Sequence, residues 1–211
     1  MSYIKNPFEI EKRSFEIIES EMGNHNFNED ELLIVKRVIH TTADFEYKDL
    51  VEISKNAIEI GRKALRNGAK IYADTNMSIN GFNKRAMKAM NCEANCYVAL
   101  DRVFDIAKKR NITRSMAAVE LAVEENVDIF VFGNAPTALF KLRELIIEGK
   151  AKPKLIIAVP VGFVGAAESK IGLEELGIPF IRVNGRKGGS TVSAAIINAL
   201  LYMDYNREEN Y

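Results

Sequence analysis

The sequence predicts a single α/β domain, in which a doubly wound, mainly parallel sheet of about five strands carries helices on both faces. Short apolar runs such as LIIAV do not alternate with polar residues, which is typical of strands buried on both faces. Stretches with helical spacing of apolar residues separate these runs, and such alternation favours a parallel sheet. The 211 residues fit one domain, which we place at 1–203, followed by a polar tail at 204–211.

The predicted elements follow from the spacing of apolar residues and from residues suited to helix ends. The strands are predicted at 70–73, 96–100, 128–132, 154–159 and 179–183. The helices are predicted at 7–22, from Asn28 to about 42, and at 48–67, 82–90, 115–125, 136–148, 166–176 and 191–203. Asn28 followed three residues later by Glu31 is close to a capping box, and Gly68 suits the left-handed residue after a helix.

The composition argues against nucleic-acid and membrane partners. Lysine plus arginine (29) equals aspartate plus glutamate (29), whereas a nucleic-acid-binding protein usually carries a basic excess. The longest apolar run, 155–167, contains a proline and two glycines and is shorter than the ~20 residues that cross a bilayer. Cys92 and Cys96 lack the spacing of a zinc site and are interpreted as reduced thiols. We therefore expect a cytoplasmic protein.

Four unusual loops follow the predicted strands, at the edge where ligands bind in such folds. They read ADTNMSING, GNAPTALF, VPVGFVGAAESK and VNGRKGGST. Glycine and small polar residues ahead of a helix let backbone amides approach a ligand and direct a helix N-terminus at an anion. A nucleotide- or phosphate-binding protein is thus one hypothesis, although GxGxxG and P-loop spacings are missing. HExxH, cysteine–histidine clusters and GxSxG are also missing.

The chain has two histidines, and they differ in context. His25 lies in a polar turn, where a solvated side chain is expected. His40 lies near the C-terminal end of a helix, with Arg37 and Asp44 within one turn on either side. Because Ile39 continues the apolar stripe, the imidazole of His40 should project away from the core. Two roles stay open, a cation favoured by the helix dipole or an acid–base catalyst.

Six segments have an order and spacing typical of one known family. They read RVIHTTAD, IYADTNM, TRSMAA, GNAPTALF, PVGFVGAAESK and GRKGGSTVSAAIINAL. The combination of GNAPTAL with PVGFVGA is the most specific part. On these segments the chain, from Pro7 to about Leu201, resembles the precorrin-8X methylmutase family, including its cobalt-precorrin-8 branch.

The resemblance implies an isomerase of corrin biosynthesis. Members move a methyl group from carbon 11 to carbon 12 of precorrin-8 or cobalt-precorrin-8, giving hydrogenobyrinate or cobyrinate. A [1,5]-sigmatropic shift is proposed for the family, with a histidine that falls on His40 protonating the macrocycle. The resemblance further implies a homodimer without a cofactor or protein metal site, any cobalt being carried by the substrate. A corrin carrier without catalytic activity is the alternative.

A sigmatropic shift needs no nucleophile, so the missing hydrolase motifs agree with it. A proton on the ring lowers electron density along the migration path, and an imidazole with a pKa of about 6.5 can give and recover that proton near neutrality. We hypothesise that Asp44 supports the imidazolium of His40. Arg37 is expected either to oppose that charge or to bind a substrate carboxylate.

A ring edged with carboxylates needs an apolar, glycine-lined floor and a rim of cations and amide donors. The predicted floor consists of Met77, Asn134, Ala135, Thr137, Gly162 and Phe163. The predicted rim consists of Arg114, Lys170, Arg186 and Lys187, since these cations can bind carboxylates. Ser14 matches a family serine near the substrate. The alternatives are solvated surface charges for the cations, and turn roles for Asn134, Gly188 and Gly189.

Overall fold

A six-stranded sheet forms the centre of the computed structural model, which describes residues 3–207. The strands are β1 (Val51–Ile53), β2 (Lys70–Ala73), β3 (Glu93–Asn95), β4 (Ile129–Phe132), β5 (Leu155–Ala158) and β6 (Phe180–Val183). Their spatial order is β1-β6-β5-β4-β2-β3. All neighbouring strands run parallel except β1, which is antiparallel to β6. The predicted α/β fold with a mainly parallel sheet is confirmed, with six strands in place of about five.

Helices cover both faces of this sheet. They are α1 (Pro7–Glu21), α2 (Glu29–Thr42), α3 (Tyr47–Leu50), α4 (Ala57–Arg66), α5 (Asn76–Asn80), α6 (Lys84–Ala89), α7 (Asp101–Arg110), α8 (Arg114–Glu124), α9 (Pro136–Ile147) and α10 (Ser190–Tyr202). Two 3₁₀ segments, Glu168–Lys170 and Leu173–Leu176, lie between β5 and β6. Between residues 3 and 207, no helix combines the length and apolar character needed to span a membrane.

The core has two halves because successive strand residues point to opposite faces. On β4, Ile129 and Val131 join the cluster formed with α2, α4 and α10, whereas Phe130 and Phe132 join the cluster formed with α7, α8 and α9. All four residues of β4 are buried. This two-sided burial explains why the strands have apolar runs with no polar alternation.

The predicted helix at 48–67 is wrong, because a strand interrupts it. Helix α3 ends at Leu50, and β1 then pairs with β6 through Val51↔Val183 and Ile53↔Ile181. Asn56 has φ +62, and α4 begins only after it. A three-residue edge strand between two helices leaves too short a pattern to be recognised in the sequence.

Two further segments differ from their predictions. The edge strand lies at Glu93–Asn95, and the predicted strand at 96–100 is the connection to α7. Helix α7 was not predicted, because only Val103 and Ala107 of that helix are buried and its apolar pattern is therefore weak. The predicted helix at 166–176 is two 3₁₀ segments, separated where Gly172 adopts φ +74. The capping box of α2 is confirmed by reciprocal bonds between Asn28 and Glu31. Of the predicted tail, 208–211 lies outside the described residues.

The buried carboxylate of Asp74 joins the ends of β2 and β4. It accepts hydrogen bonds from the backbone N–H groups of Gly133 at 2.8 Å, Asn134 at 2.8 Å and Ala135 at 2.6 Å. Charge-assisted bonds of this kind are stronger than neutral ones, and breaking them leaves buried donors without partners. Asp74 therefore fixes the loop between β4 and α9.

We expect Asp74→Asn to destabilise the protein by about 2–4 kcal/mol, because at least one backbone N–H would then face an amide NH₂. Chemical denaturation followed by far-UV circular dichroism measures the change. Asp105→Asn, an exposed carboxylate on α7, is the matched control and should stay within about 0.5 kcal/mol of the unaltered protein. Equal stabilities for the two variants would contradict the proposed role of Asp74.

Candidate active site

Small hydroxyl residues join the loops after β2 and β6. The Thr75 Oγ1 lies 2.8 Å from the Ser190 Oγ and 2.9 Å from the Ser78 Oγ, and the Ser193 hydroxyl donates to the Ser78 Oγ at 2.8 Å. Gly133 packs against this cluster so closely that an added Cβ would lie 2.8 Å from the Ser190 Cα. The first turns of α5 and α10 are thereby held against the end of β4.

The backbone amides of the GNA loop are already occupied. Gly133, Asn134 and Ala135 donate their N–H groups to Asp74, so these donors are not directed at a ligand. The expectation that this loop offers its amides to an anion is wrong for these three residues. The side chain of Asn134 remains exposed.

A second close contact joins the loops after β5 and β6. The N–H of Gly189 donates to the Val159 carbonyl at 2.8 Å, and an added Cβ on Gly188 would lie 2.1 Å from that same oxygen. Gly188 also has φ +148, which a side chain would strain. The N–H of Gly162 donates to the Arg186 carbonyl at 3.1 Å. Gly188 and Gly189 thus serve the turn before α10.

Lys170 lies in the interior and not on an exposed rim as predicted. Its side chain is 1% exposed, and its Nζ donates to the carbonyls of Val183 at 2.7 Å and Lys187 at 2.9 Å. Burial lowers the pKa of Lys170 to about 8. The ammonium holds the loop after β6, and it has no surface at which to meet a carboxylate.

The other two predicted cations, Arg186 and Lys187, belong to the loop after β6. Both lie at the surface, and each contacts another side chain. The Lys187 ammonium contacts the Asp44 carboxylate and donates to the Glu46 Oε2 at 2.6 Å. The Arg186 guanidinium lies 5.6 Å from the centre of the Phe163 ring, which is exposed. Of the pair, Arg186 is the cation that lies beside the predicted apolar floor.

The remaining strand-end residues also lie at the surface. Met77 and Thr137 are exposed, and Ala135 is half-buried. The Thr137 Oγ1 lies 3.1 Å from the Thr113 Oγ1, which caps the helix that begins with the exposed Arg114. The starts of α8 and α9 therefore bring Arg114 and Thr137 to the same region.

His40 lies in the last turn of α2, is exposed as predicted, and packs edge-on against the Phe15 ring at 5.4 Å between centres. It opens into a cavity of about 670 Å³ between α1, the end of α2, the start of α6 and the C-terminal segment. The cavity residues are Pro7, Phe8, Ile10, Glu11, His40, Asn83, Lys84, Arg85, Tyr205 and Arg207. Ser14 lies one turn beyond Ile10 on α1, and its hydroxyl donates to the Ile10 carbonyl at 2.8 Å.

Glu11 and two arginines form a charged cluster beside His40. The Glu11 carboxylate contacts both Arg37 and Arg207. The Arg37 guanidinium also lies 4.8 Å from the Phe15 ring centre and 5.0 Å from that of Tyr202. Burial opposes ionisation of Glu11, but the bond from Arg207 and the charge of Arg37 hold its pKa below the ordinary value. Arg37 is thereby fixed in place.

This environment lowers the pKa of His40. Although part of the imidazole is exposed, partial desolvation by the surrounding groups is the largest cause. The positive charges of Arg37 and Arg207 also lower the pKa, and the negative charge of Glu11 partly compensates. Asp44 is not the predicted partner of His40, because Ala43 has φ +53 and ends the helix, and the Asp44 carboxylate contacts Lys187 and accepts from the Glu46 N–H at 3.0 Å. The charge of Arg37 acts against the imidazolium, which is one of the two roles expected for Arg37, and binding of a substrate carboxylate stays a prediction.

The predicted site residues therefore fall into two groups. His40, Arg37 and Ser14 lie on or beside the packed pair α1 and α2, whereas the strand-end residues do not line the cavity that contains His40. The prediction from sequence omitted Glu11, Lys84 and Arg207. Glu11 lies one turn from Pro7 and from Ser14 on the first helix, a spacing that could have indicated it. No local pattern indicated Arg207.

Comparisons with known proteins identify the family of this chain. The sequence model of the precorrin-8X methylmutase family matches residues 9–203. The chain is 46% identical to the cobalt-precorrin-8 methylmutase of Salmonella typhimurium, over 96% of this chain and 98% of that protein. It is 42% identical to the Leptospira interrogans protein of the same name, with 95% of each covered.

A solved structure, the precorrin-8X methylmutase of Thermus thermophilus, has a TM-score of 0.86 and 41% identity, covering 93% of this chain and 95% of that one. These matches argue against both the nucleotide-binding and the carrier alternatives, because they extend over nearly the whole chain and the matched proteins are named as methylmutases. Therefore the chain belongs to the precorrin-8X methylmutase family and is an isomerase of cobalamin biosynthesis.

Proposed function

We propose that this isomerase moves a methyl group from carbon 11 to carbon 12 of precorrin-8 or cobalt-precorrin-8, with His40 as the proton donor. The observation that carries the proposal is the position of His40, exposed at a cavity among basic side chains and with a lowered pKa. The proposal covers both forms of the substrate, because relatives carry both names. A Sinorhizobium relative named precorrin-8X methylmutase is 39% identical, with 94% of this chain covered.

The charges around His40 suit a proton donor that acts only when the substrate is present. A depressed pKa makes the imidazolium a stronger acid than an ordinary histidine. The carboxylates of the substrate bring negative charge next to the imidazole of His40, which favours its protonated form. His40 therefore holds the proton when the substrate is bound. Transfer of this proton to the macrocycle withdraws electron density from the migration path, and the imidazole recovers it after the methyl group has moved.

The cavity around His40 also suits part of a polyacid ring in its volume and lining. Its volume of about 670 Å³ lies within the ~300–1,000 Å³ usual for ligand sites. Phe8, Ile10 and Tyr205 supply apolar surface, while Lys84 and Arg207 supply positive charge. We assign no resident cofactor, and any cobalt arrives with the substrate.

The strand-end residues remain predicted contacts for the outer part of the substrate. They are Met77, Arg114, Asn134, Ala135, Thr137, Gly162, Phe163 and Arg186. Lys187 could join them only by giving up Asp44 or Glu46. Ser14 remains a predicted hydrogen-bond donor on α1.

We expect His40→Ala to lose nearly all conversion of precorrin-8 while it still binds the ring, because the apolar and cationic contacts remain when the acid is removed. Conversion is followed by visible absorbance with metal-free and cobalt-containing substrate, without added cofactor, and binding by the spectral shift on mixing. The matched control is His25→Ala, which changes the other histidine and should keep full activity. Full activity of His40→Ala would remove the acid role.

We expect kcat/KM to fall as pH rises through the pKa of His40 in the free enzyme, which lies below the ordinary 6.5, because the imidazolium is the active form. The corresponding limb of kcat should lie at higher pH, since bound carboxylates raise that pKa. Arg37→Gln removes a positive charge, raises the pKa of His40 and should move the kcat/KM limb to higher pH.

The neighbouring variant Lys36→Gln is the control for this pH profile. Lys36 pairs with Glu19 and is not among the groups that shift the pKa of His40. The kcat/KM profile of Lys36→Gln should therefore fall at the same pH as that of the unaltered protein. The electrostatic coupling between Arg37 and His40 would be contradicted if the pH at which kcat/KM falls did not change in Arg37→Gln. An equal change in both variants would contradict it as well.

We further propose that the chain forms a homodimer through the exposed apolar loop after β5. Val161, Phe163 and Val164 are all exposed there, and contiguous exposed apolar residues mark interaction surfaces. Sedimentation equilibrium should give about twice the 23.7 kDa of one chain. Val164→Asp, at a side chain that is 90% exposed, should shift the mass toward one chain, whereas Ile147→Asp, at a site 75% exposed on α9, should not. A dimer unchanged by Val164→Asp would place the interface elsewhere.

A further inference from the structure

The C-terminal segment, residues 204–207, forms one wall of the cavity that contains His40. Tyr205 and Arg207 both line this cavity, opposite residues of α1 and the start of α6. The segment lies beyond residue 203, where the match to the family ends. The sequence predicted it as part of a polar tail outside the domain.

Ion pairs hold this segment against the domain at both of its ends. The Asp204 carboxylate accepts from the Arg62 Nε at 2.9 Å and the Arg62 Nη2 at 2.8 Å, with Arg66 at 3.4 Å. At the other end, the Arg207 guanidinium contacts Glu11 and lies 4.1 Å from the centre of the Tyr202 ring. These contacts give the segment a defined path across the cavity.

Among the described residues that line the cavity, cationic side chains outnumber carboxylates, which favours an anionic ligand. Among the described residues that line it, Glu11 is the single carboxylate, whereas Lys84, Arg85 and Arg207 are cationic. Glu11 is moreover shared between Arg207 and Arg37. A guanidinium has five N–H donors in a planar fork, so one contact to Glu11 leaves donors for a second carboxylate. The side chain of Arg207 is 29% exposed and can be reached from the cavity.

We propose that Arg207 binds a carboxylate of the tetrapyrrole substrate, so that the C-terminal segment is part of the substrate site. The inference rests on the proposed function, in which the cavity beside His40 receives the ring. Tyr202 and Glu11 hold the guanidinium at the cavity wall before the substrate arrives. Arg207 is then a substrate-binding residue and not a proton donor, and it should affect affinity more than the chemical step.

The test compares Arg207→Gln and Arg207→Lys in the full chain. For Arg207→Gln we expect KM for precorrin-8, and Kd for the product hydrogenobyrinate by spectral titration, to rise roughly tenfold or more, with kcat within about threefold, since one charge-assisted bond is lost. Arg207→Lys should recover part of the affinity because it keeps the charge without the fork. Unchanged KM and Kd in Arg207→Gln would overturn the proposal.

Two controls separate carboxylate binding from a structural role of the segment. Asp204→Asn loosens the other end but keeps the guanidinium, so its effect on Kd should be small compared with that of Arg207→Gln. A hydrogenobyrinate analogue with its carboxylates esterified should bind Arg207→Gln and the unaltered protein equally. An equal loss in Asp204→Asn, or an equal loss toward the ester, would show a structural role and overturn the proposal.

The same measurements distinguish failure of this inference from failure of the proposed function. If the unaltered protein converts precorrin-8 but Arg207→Gln behaves identically, the inference about Arg207 fails alone. If the unaltered protein neither converts precorrin-8 nor binds hydrogenobyrinate, the proposed function fails and the inference fails with it.

Discussion

The strand-end edge of this protein depends on a single buried carboxylate. Asp74 places a charged group in the interior, which is costly unless the charge is fully hydrogen-bonded. Burial raises the pKa of Asp74, and the bonds from Ala135, Gly133 and Asn134 act against that rise. The same bonds fix the start of α9 relative to β2. The loop after β4 is therefore rigid, and a ligand would have to meet its exposed side chains and not its backbone amides.

Around His40 the protein uses charges that partly cancel, and this keeps the imidazole responsive to a ligand. Desolvation is the largest cause of the lowered pKa of His40, and two arginines add to it, while Glu11, which contacts both arginines, acts in the opposite direction. Because Arg37 lies between the rings of Phe15 and Tyr202, it cannot move away to relieve the repulsion without losing those contacts. An anionic ligand would therefore stabilise the imidazolium further.

The sequence predicted well those features that a local pattern records. Strands β4 and β5 are buried on both faces, so their apolar runs identify them, and the capping box of α2 is a local motif. Strand β1 was missed because its existence depends on pairing with β6, far along the chain. The position of Lys170 was wrongly predicted for the same kind of reason, since its acceptors are carbonyls at the end of β6 and in the loop that follows. His40 was found because only two histidines exist and the other lies in a polar turn.

A series of contacts joins the two groups of site residues, although they line different surfaces. Lys170 holds the Lys187 carbonyl, the Lys187 ammonium contacts Asp44, and Asp44 follows the end of the helix that carries His40. The exposed pair of Lys187 and Asp44 would contribute little by itself, because water screens surface ion pairs. The buried ammonium of Lys170 has no such competition from water, and it fixes the backbone from which Lys187 extends. Lys170, which has no access to the substrate, thus fixes the backbone of the turn from which Lys187 reaches Asp44, a residue just beyond the helix that carries His40.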